Sequence, residues 1–367
     1  MADVDEVVAT LFSPFATAHL AWPQSGEVLF LRARPGAADA VGQECLRPGL
    51  YCSQTFKPYA DALQRAGARC LASGEWQQRR WSLVLLLLPR YRDEARTLLA
   101  QAWQQTLDGG ILMACQANNE GARSGEADLA RLAGDVQSLS RRKCRVFWAV
   151  VDATRGDAGL RADWRALDTP QRISDGQGGH LLTRPGLFSR AHVDPASALL
   201  ARCLPVDLAG RGADLGAGYG YLAVEVARRC PAVRVLDLYE AEARALELAR
   251  QNLSIQVASL PGANAGAVSG SPGLTAEFHW HDVTAGLPKA GCYDFIVSNP
   301  PFHQGRSDAP EIGQAFLVAA ARGLREGGRF WLVANRHLPY EQTLQRHFRR
   351  LRQICDEQGY KVIEAVR

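Results

Sequence analysis

The second half of this 367-residue chain alternates strand-like and helix-like segments, and this alternation limits the possible folds more than any other feature. The apolar runs at 233–239 and 293–299 are typical of buried strands, whereas 241–253 and 311–325 carry apolar residues at helical spacing. Strands that alternate with helices form a mostly parallel sheet with right-handed crossovers. The sequence from about Leu208 onward therefore predicts an α/β fold with a doubly wound sheet.

A weaker copy of the same order occurs in the first half. A strand, a helix, Gly109–Gly110 and a strand ending in Ala-Asn are matched later by a strand, a helix, Gly327–Gly328 and a strand with the same ending. The first copy reads L-L-P-R-Y at 87–91 where the second reads S-N-P-P-F at 298–302. We therefore predict a duplicated domain whose first copy has lost its chemistry. Two unrelated α/β domains are the alternative interpretation.

Composition indicates a soluble protein in a reducing compartment. The net charge of +4 requires that any nucleic-acid binding come from local patches. Nine cysteines without C-x-x-C pairs predict buried thiols and no metal site. The acidic N-terminus does not resemble a signal peptide, and the apolar run at 83–89 is far shorter than the ~20 residues that span a bilayer. We expect a cytoplasmic, monomeric protein.

A glycine-rich turn follows the first strand of the second half. Asp214, Gly216, Gly218 and Gly220 lie where a strand meets a helix, and glycines there let the backbone approach a ligand whose negative charge faces helix N–H groups. Glu240 follows twenty residues after Gly220, at the end of the next strand, where a carboxylate can accept hydrogen bonds from both ribose hydroxyls. These features alone fit either a dinucleotide or an adenosyl-sulfonium cofactor.

Further acidic residues favour the sulfonium cofactor. The spacing is G-x-G-x-G, and Asp214 is placed to face a cationic amino acid group. Asp282 ends a later strand, where it can accept from an adenine amino group; a helix cap is the alternative role. Asp237 competes with Glu240 for the ribose but lies in mid-strand, so we favour Glu240.

The strand at 293–299 ends in an unusual turn, Asn299-Pro300-Pro301-Phe302. The exocyclic amine of a nucleobase is a poor nucleophile, and its methylation needs acceptors that hold the NH₂ group and stabilise its developing positive charge. The Asn299 side-chain oxygen and the Pro300 carbonyl are suited to this, the prolines make the turn rigid, and Phe302 can stack on the base. A simple strand-ending turn is the alternative.

Together, "DLGAGYG" and "SNPPF" resemble the class I S-adenosylmethionine-dependent methyltransferases that act on amino groups. "RPGLFSRAHVDPASALL" at 184–200, "LVANRHLPYE" at 332–341 and "EGARSGEADLA" at 120–130 are similar to segments of the ribosomal RNA guanine-N2 methyltransferases of the RsmC/RlmG type. The resemblance implies two tandem Rossmann-like methyltransferase domains, with a degenerate domain at 1–167, a linker at 168–183 and the catalytic domain at 184–367.

The resemblance also implies roles for individual residues. The S-adenosylmethionine site would comprise Asp214, Gly216, Ala217, Gly218, Gly220, Glu240, Asp282 and Asn299, and the target guanine would be held by Asn299, Pro300, Pro301 and Phe302. The implied reaction is guanine-N2 methylation of ribosomal RNA, with 16S RNA favoured over 23S. Adenine-N6 methylation, methylation of a protein glutamine amide and a non-catalytic role in ribosome assembly stay open.

Basic residues near both halves are candidates for RNA contact. Arg190 lies ahead of the catalytic sheet, and His303 and Arg306 follow the Asn-Pro-Pro turn. The exposed-looking run Arg141, Arg142 and Lys143 makes the first half a candidate RNA platform, although such a run is often only a solvated face.

Overall fold

The computed structural model describes residues 5–36, 44–155, 157–258, 273–301, 303–304, 307–308 and 310–367. The chain divides into two compact units, Met1–Pro170 with Arg184–Gly186, and Gln171–Thr183 with Leu187–Arg367. The expected linker at 168–183 differs from this division, because Gln171–Ser174 and His180–Thr183 pair as an antiparallel hairpin that belongs to the second unit. The stretch from Ser254 to Gly273 is rich in Gly, Ala, Ser and Pro, a composition that predicts a surface insertion. Its first residues continue a helix to Ala258, and residues 259–272 lie outside the described residues.

A six-stranded sheet organises the first unit, with strand order β2-β1-β3-β4-β6-β5. Strands β1 to β4 are parallel, and β5 and β6 form an antiparallel hairpin at one edge. The strands are β1 Val28–Leu31, β2 Leu50–Ser53, β3 Trp81–Leu87, β4 Thr106–Ala117, β5 Gln137–Arg141 and β6 Cys144–Val150, and the helices are α1 Glu6–Ala16, α2 Lys57–Arg65, α3 Arg92–Gln105, α4 Ala122–Ala133 and α5 Ala158–Ala166.

The second unit contains a seven-stranded sheet with the order β11-β10-β9-β12-β15-β17-β16. Its first five strands are parallel, and β16 and β17 are antiparallel. The strands are β7 Gln171–Ser174, β8 His180–Thr183, β9 Ala209–Leu215, β10 Ala232–Glu240, β11 Thr275–Trp280, β12 Tyr293–Ser298, β13 His303–Gln304, β14 Ser307–Asp308, β15 Leu324–Asn335, β16 Arg350–Glu357 and β17 Tyr360–Val366, and the helices are α6 Pro195–Cys203, α7 Tyr221–Arg229, α8 Ala243–Ala258, α9 Pro310–Gly323 and α10 Glu341–His347.

Both sheets are covered on two faces, as the apolar runs predict. In β3, Leu83 and Leu85 pack in one apolar cluster while Val84 and Leu86 pack in the other, because successive side chains of a strand point to opposite faces. These four residues are at most 1% exposed, so the run at 83–89 is a buried strand. No helix among the described residues is long and apolar enough to cross a membrane.

The strand order confirms that the two domains share one architecture. In each sheet a parallel core is followed by two strands that pair antiparallel at one edge, and β1-β3-β4-β6-β5 corresponds to β9-β12-β15-β17-β16. At the edge equivalent to β11, the described residues of the first unit form only a single parallel bridge, from Cys52 to Cys70. The predicted pair of Rossmann-like domains is therefore observed.

The two Gly-Gly pairs have a role that the sequence pattern did not reveal. A Gly-Gly pair directly after a helical pattern predicts a helix end, but the helix before Gly327 already ends at Gly323. Both pairs lie inside strands, where the register shifts. A Cβ on Gly110 would lie 2.8 Å from the Ser82 carbonyl oxygen, and one on Gly328 would lie 3.0 Å from the Tyr293 carbonyl oxygen. The repeat therefore marks the same β-bulge in both domains.

Candidate active site

The carboxyl ends of three neighbouring strands form the edge that carries the predicted site. Leu215, the last residue of β9, pairs with Ser298 of β12 on one side and with Tyr239 of β10 on the other. The Ser298 hydroxyl also donates a 2.7 Å hydrogen bond to the Leu215 carbonyl oxygen. The glycine turn after β9, Glu240 at the end of β10 and the Asn-Pro-Pro turn after β12 are thereby held side by side, as expected at the ligand-binding edge of a parallel sheet.

The glycine turn adopts a backbone conformation that explains its spacing. Gly216, Gly218 and Gly220 have φ angles of 72°, 56° and 89°, which side chains with a Cβ rarely adopt. A Cβ on Gly220 would lie 3.0 Å from Ala249 on α8, whereas one on Gly218 would meet nothing within 4 Å. Gly220 therefore allows α7 and α8 to pack closely, and Gly218 leaves its backbone open to a ligand.

Glu240 is fixed by backbone donors on both of its oxygens. Its Oε2 accepts a 2.7 Å hydrogen bond from the Gly218 amide, and its Oε1 accepts one of 2.8 Å from the Glu242 amide. Burial raises the pKa of this carboxyl. Each carboxylate oxygen has a second lone pair, so the side chain can still accept hydrogen bonds from two hydroxyl groups.

Asp237, the competing acid, is committed elsewhere. It is fully buried, its carboxylate accepts from the Arg211 guanidinium at 2.7 Å and from the Tyr293 hydroxyl at 2.6 Å, and it lies inside β10. Despite burial, hydrogen bonds from its neighbours hold its pKa well below the usual range. The geometry thus favours Glu240 as the acid at the strand end.

Asp214 is a buried acid without a partner. The side chain is fully buried, and neither carboxylate oxygen has a hydrogen-bond partner within the part of the chain that the structure describes. Burial, with the charge of Glu240 nearby, raises its pKa to about 8. An isolated buried carboxylate is costly, and a cationic group placed beside it would relieve that cost.

The amide of Asn299 is held in one orientation. Its Nδ2 donates to the Asp194 carboxylate and to the Ser197 hydroxyl, each at 2.9 Å. Because a carboxylate only accepts, the nitrogen must face Asp194, and the side-chain oxygen is directed the other way. Asp194 is itself fixed as the N-cap of α6, where it accepts from the Ser197 amide at 2.8 Å.

A small cavity of about 60 Å³ joins these elements. Asn299, Asp194 and the glycine turn line it, and Phe188, which is 67% exposed, lies at its rim. Pro301 is exposed beside the turn, 4.0 Å from the position of a Cβ on Gly216. The glycine turn and Asn299 therefore line one cavity.

Comparisons with known proteins agree with this geometry. A family model described as "Methyltransferase small domain" matches residues 178–364. A ribosomal RNA small subunit methyltransferase C from Shewanella amazonensis is 30% identical over 89% of this chain and 90% of its own length, and one from Pseudomonas paraeruginosa is 31% identical over 78% of this chain and 80% of its own. The chain belongs to the ribosomal RNA small subunit methyltransferase C family.

A solved structure matches the whole chain. The T. thermophilus 16S rRNA N2-guanine methyltransferase RsmC, solved with AdoMet and guanosine, is 25% identical, with a TM-score of 0.76 over 99% of this chain and 92% of its own. The resemblance to the RsmC-type methyltransferases and the predicted tandem fold are both confirmed.

In the degenerate first unit, strand register shows how the equivalent site was lost. Leu31 pairs with Ser53 and Leu86 as Leu215 pairs with Tyr239 and Ser298, so Gly216, Glu240 and Asn299 correspond to Arg32, Gln54 and Leu87. The Arg32 guanidinium donates to Glu94 at 2.9 Å, and the Gln54 amide donates to the Ala33 carbonyl oxygen at 2.7 Å.

These replacements remove the chemistry of the site while keeping the fold. Gln54 Oε1 accepts from the amide of Phe56 just as Glu240 accepts from that of Glu242, but the neutral amide has lost the charge. Leu87, only 3% exposed, supplies no acceptor in place of Asn299. The strand register also corrects the alignment of the two copies by one residue. It makes Leu86, and not Leu87, the equivalent of Ser298.

The structure describes Asp282 and only some of the predicted RNA-contact residues. Asp282 follows β11, whose Trp280 pairs with Glu240, but its Oδ1 caps the short turn Val283–Ala285 by accepting from the Thr284 amide at 2.9 Å. Arg190 is half-buried in the turn before α6. His303 is described only as part of the backbone of β13, and Phe302 and Arg306 lie outside the described residues.

The basic run of the first unit is the exposed turn of the β5–β6 hairpin. Arg141, Arg142 and Lys143 are exposed, and the last two have φ angles of 49° and 56°. Arg145, by contrast, is paired with Glu126 and does not add to this exposed basic group.

One group of side chains has metal-ligand character. The ligand atoms of Asp237, Glu277 and His279 lie within 4.8 Å of one another. The Lys289 ammonium is 2.7 Å from Glu277 and the Arg211 guanidinium 2.7 Å from Asp237, so basic side chains already balance these carboxylates. The group is best explained as a structural charge network.

Asp194 and Ser197 are the site residues that sequence reasoning missed. The Asp-Pro-Ala-Ser order at 194–197 is a signature of a helix start, which predicts the cap but not its contact with Asn299.

Proposed function

We propose that this chain transfers the methyl group of S-adenosylmethionine to the exocyclic N2 of a guanine in 16S ribosomal RNA. The curated relatives are named small subunit methyltransferases, and the T. thermophilus enzyme, which was solved with AdoMet and guanosine, is named for guanosine 1207 of 16S RNA. The orientation of the Asn299 amide carries the proposal, because Asp194 and Ser197 occupy its nitrogen, which leaves the oxygen of this cavity-lining residue to accept from an amine.

The residues of the edge fit the cofactor. The unpartnered carboxylate of Asp214 would lie near its cationic amino acid end, and the backbone at Gly216 and Gly218 would allow close approach. Glu240 would accept the ribose hydroxyls, and the second oxygen of Asp282 would face the adenine. When bound, S-adenosylmethionine supplies an electrophilic methyl group on its sulfonium.

Asn299 would bind and orient the amine. The lone pair of the guanine amine is delocalised into the ring, and an acceptor for its N–H groups favours the pyramidal, partly positive nitrogen of the transition state. The Asn299 oxygen and the Pro300 carbonyl supply two such acceptors on a rigid turn. Phe302 is predicted to stack on the base.

The proton balance requires no base that touches the amine. The nitrogen lone pair forms the new N–C bond as the S–C bond breaks, and the extra proton on nitrogen leaves to water afterwards. Asp194 and Ser197 act through Asn299: they hold its amide nitrogen and are positioning residues, not catalytic ones.

The test is mass mapping of modified nucleosides in 16S RNA from cells that lack the protein, complemented with wild type or with Asn299→Ala. We expect one N2-methylguanosine to be absent without the protein, restored by wild type and not by the variant. Purified Asn299→Ala should bind S-adenosylmethionine with nearly wild-type affinity. Restoration by the variant would exclude the amine-binding role. A methyl group restored instead on 23S RNA, adenine N6 or a protein glutamine would exclude the proposed substrate.

A further inference from the structure

The first unit contains a groove that the proposed active site does not use. It encloses about 590 Å³, and its volume is within the ~300–1,000 Å³ of small-ligand sites. Three arginines, Arg80, Arg161 and Arg165, line it above a floor formed by Trp103 and Val151. We call this feature the arginine groove.

The arginine groove is separate from the lost cofactor site of the same unit. It lies where β4 begins, at Thr106, and where the antiparallel β6 has just ended, at Val150. The replaced residues Arg32, Gln54 and Leu87 lie at the opposite, carboxyl ends of the parallel strands. The groove is therefore not a remnant of the duplicated active site.

The charges of the three arginines are not balanced by carboxylates. Arg80 donates to the Gln104 carbonyl oxygen, Arg165 to the Gln104 side-chain oxygen, and Arg161 to the Arg155 carbonyl oxygen at 3.1 Å. All these acceptors are neutral, and in the described ranges none of the three guanidinium groups forms an ion pair.

Several other basic side chains of the same unit do form ion pairs. Arg79 lies 2.6 Å from Glu75, and Arg92 and Arg96 share the buried carboxylate of Asp128 at 3.0 and 3.1 Å. A guanidinium has five N–H donors, so those of the arginine groove retain donors for an anion.

The floor of the arginine groove suits a nucleotide. Trp103 and Val151 are 4% and 3% exposed and present an apolar surface, and Leu107 at the rim is 45% exposed. One carboxylate, Asp108, also lines the groove, and its Oδ1 accepts from the Ala153 amide at 2.8 Å. An apolar floor beside three cations matches the ribose and base of a nucleotide beside its phosphates.

We propose that the arginine groove binds the sugar-phosphate backbone of the substrate RNA, in addition to the contacts that hold the methylated guanine. This inference rests on the proposed function, which supplies RNA as the partner. Arg161 and Arg165 project from one helix, α5, with spacing of four residues, so they can contact successive phosphates of one strand. Such contacts would strengthen RNA binding without affecting the chemistry of methyl transfer.

The test compares the full-length wild type with Arg161→Gln/Arg165→Gln. Binding of a 16S RNA fragment is measured by filter retention between about 50 and 300 mM salt, because phosphate contacts make the affinity depend strongly on salt concentration. Each phosphate contact contributes ~0.7 to the salt slope for single strands, so we expect the slope to fall by about 1.4 and the affinity by about tenfold. In methyl transfer, KM for RNA should rise while kcat stays unchanged.

A matched control removes the same charge elsewhere. Arg65→Gln/Arg69→Gln also deletes two exposed arginines of the first unit that are four positions apart and lie outside the groove. An equal loss of affinity in this control, or an unchanged salt slope in the groove variant, would overturn the proposal. Saturable binding of GMP at micromolar concentration that the groove variant abolishes, with RNA affinity unchanged, would assign the groove to a free nucleotide and also overturn it. Since binding is measured without turnover, failure of guanine methylation by the wild type would be seen separately.

Discussion

The contact between Asp194 and Asn299 leads to the sharpest prediction. Asp194 Oδ2 accepts both from the Ser197 amide at 2.8 Å and from the Asn299 side-chain amide at 2.9 Å. In Asp194→Ser, the serine hydroxyl can still cap α6, but the Asn299 amide loses its charged acceptor. A hydrogen bond to a charged group contributes ~1.5–3 kcal/mol. If that energy orients Asn299 in the transition state, single-turnover methyl transfer should slow by about 10- to 100-fold.

The assay must separate positioning from folding. S-adenosylmethionine affinity, measured by calorimetry, and the unfolding midpoint should stay near wild type. Asp157→Ser is the matched control, because Asp157 caps α5 in the same way by accepting from the Leu160 amide at 3.0 Å but belongs to the first unit. It should leave the methyl-transfer rate unchanged.

A double-mutant cycle tests whether Asp194 affects the rate through Asn299 or independently of it. Because Asp194 acts through Asn299, adding Asp194→Ser to Asn299→Ala should cause no further loss of rate. If the two losses instead multiply, or if Asp194→Ser alone keeps full activity, the positioning argument is refuted. Ser197→Ala, which removes the second acceptor, should show a smaller loss of rate that also disappears in the Asn299→Ala background.

The remaining predictions concern the buried acids. Asp214 has a pKa raised to about 8, so the native state binds more protons than the unfolded state between about pH 4 and 8 and loses stability as pH rises through that range. Without cofactor, the stability of the wild type should therefore fall by up to about 1.4 kcal/mol for each pH unit up to about pH 8, and Asp214→Asn should flatten this decline in melting temperatures measured between about pH 5.5 and 9. The variant should also bind S-adenosylmethionine more weakly. An identical pH profile in the variant would contradict the assignment. Asp237→Asn leaves Arg211 without its buried partner and should cost ~3–5 kcal/mol in urea unfolding, whereas Glu277→Gln, on the exposed side of the same network, should cost less than ~1 kcal/mol. Equal costs would show that burial does not govern this network. Because the pKa of Asp237 is lowered, its contribution should be present above about pH 4 and lost as pH falls below it.

Local patterns were sufficient to predict much of the fold and several residues of the candidate site. Alternating strand and helix periodicities predicted two parallel-sheet domains. The glycine turn, Glu240 and Asn299 each follow a strand, and these three strands end at one edge of the sheet. These inferences needed only short stretches of chain, because strand ends of a parallel sheet meet at the same edge whatever the distant contacts are.

Other features depended on residues that are close only in space. Asp194 is 105 positions from Asn299, so their hydrogen bond cannot be inferred from spacing. Only the strand register shows that Arg32 and Gln54 occupy the positions equivalent to Gly216 and Glu240. The sequence likewise predicted a linker at 171–183 where the structure has a hairpin, and it did not show that the Gly-Gly pairs form bulges inside strands. The reason is that glycine and other turn-forming residues occur in linkers, helix ends and bulges alike.

The amino-acid sequence by itself determined that the chain has two related α/β domains and which strand ends carry acceptors. Tertiary structure decided which acids are free: Asp237 and Asp214 are both fully buried, but only Asp237 is paired with a cation. It also decided which arginines are uncompensated, and it fixed the direction of the Asn299 amide. The physical reason is that charge compensation and hydrogen-bond orientation are set by neighbours in space, which the periodicity of a single segment does not encode.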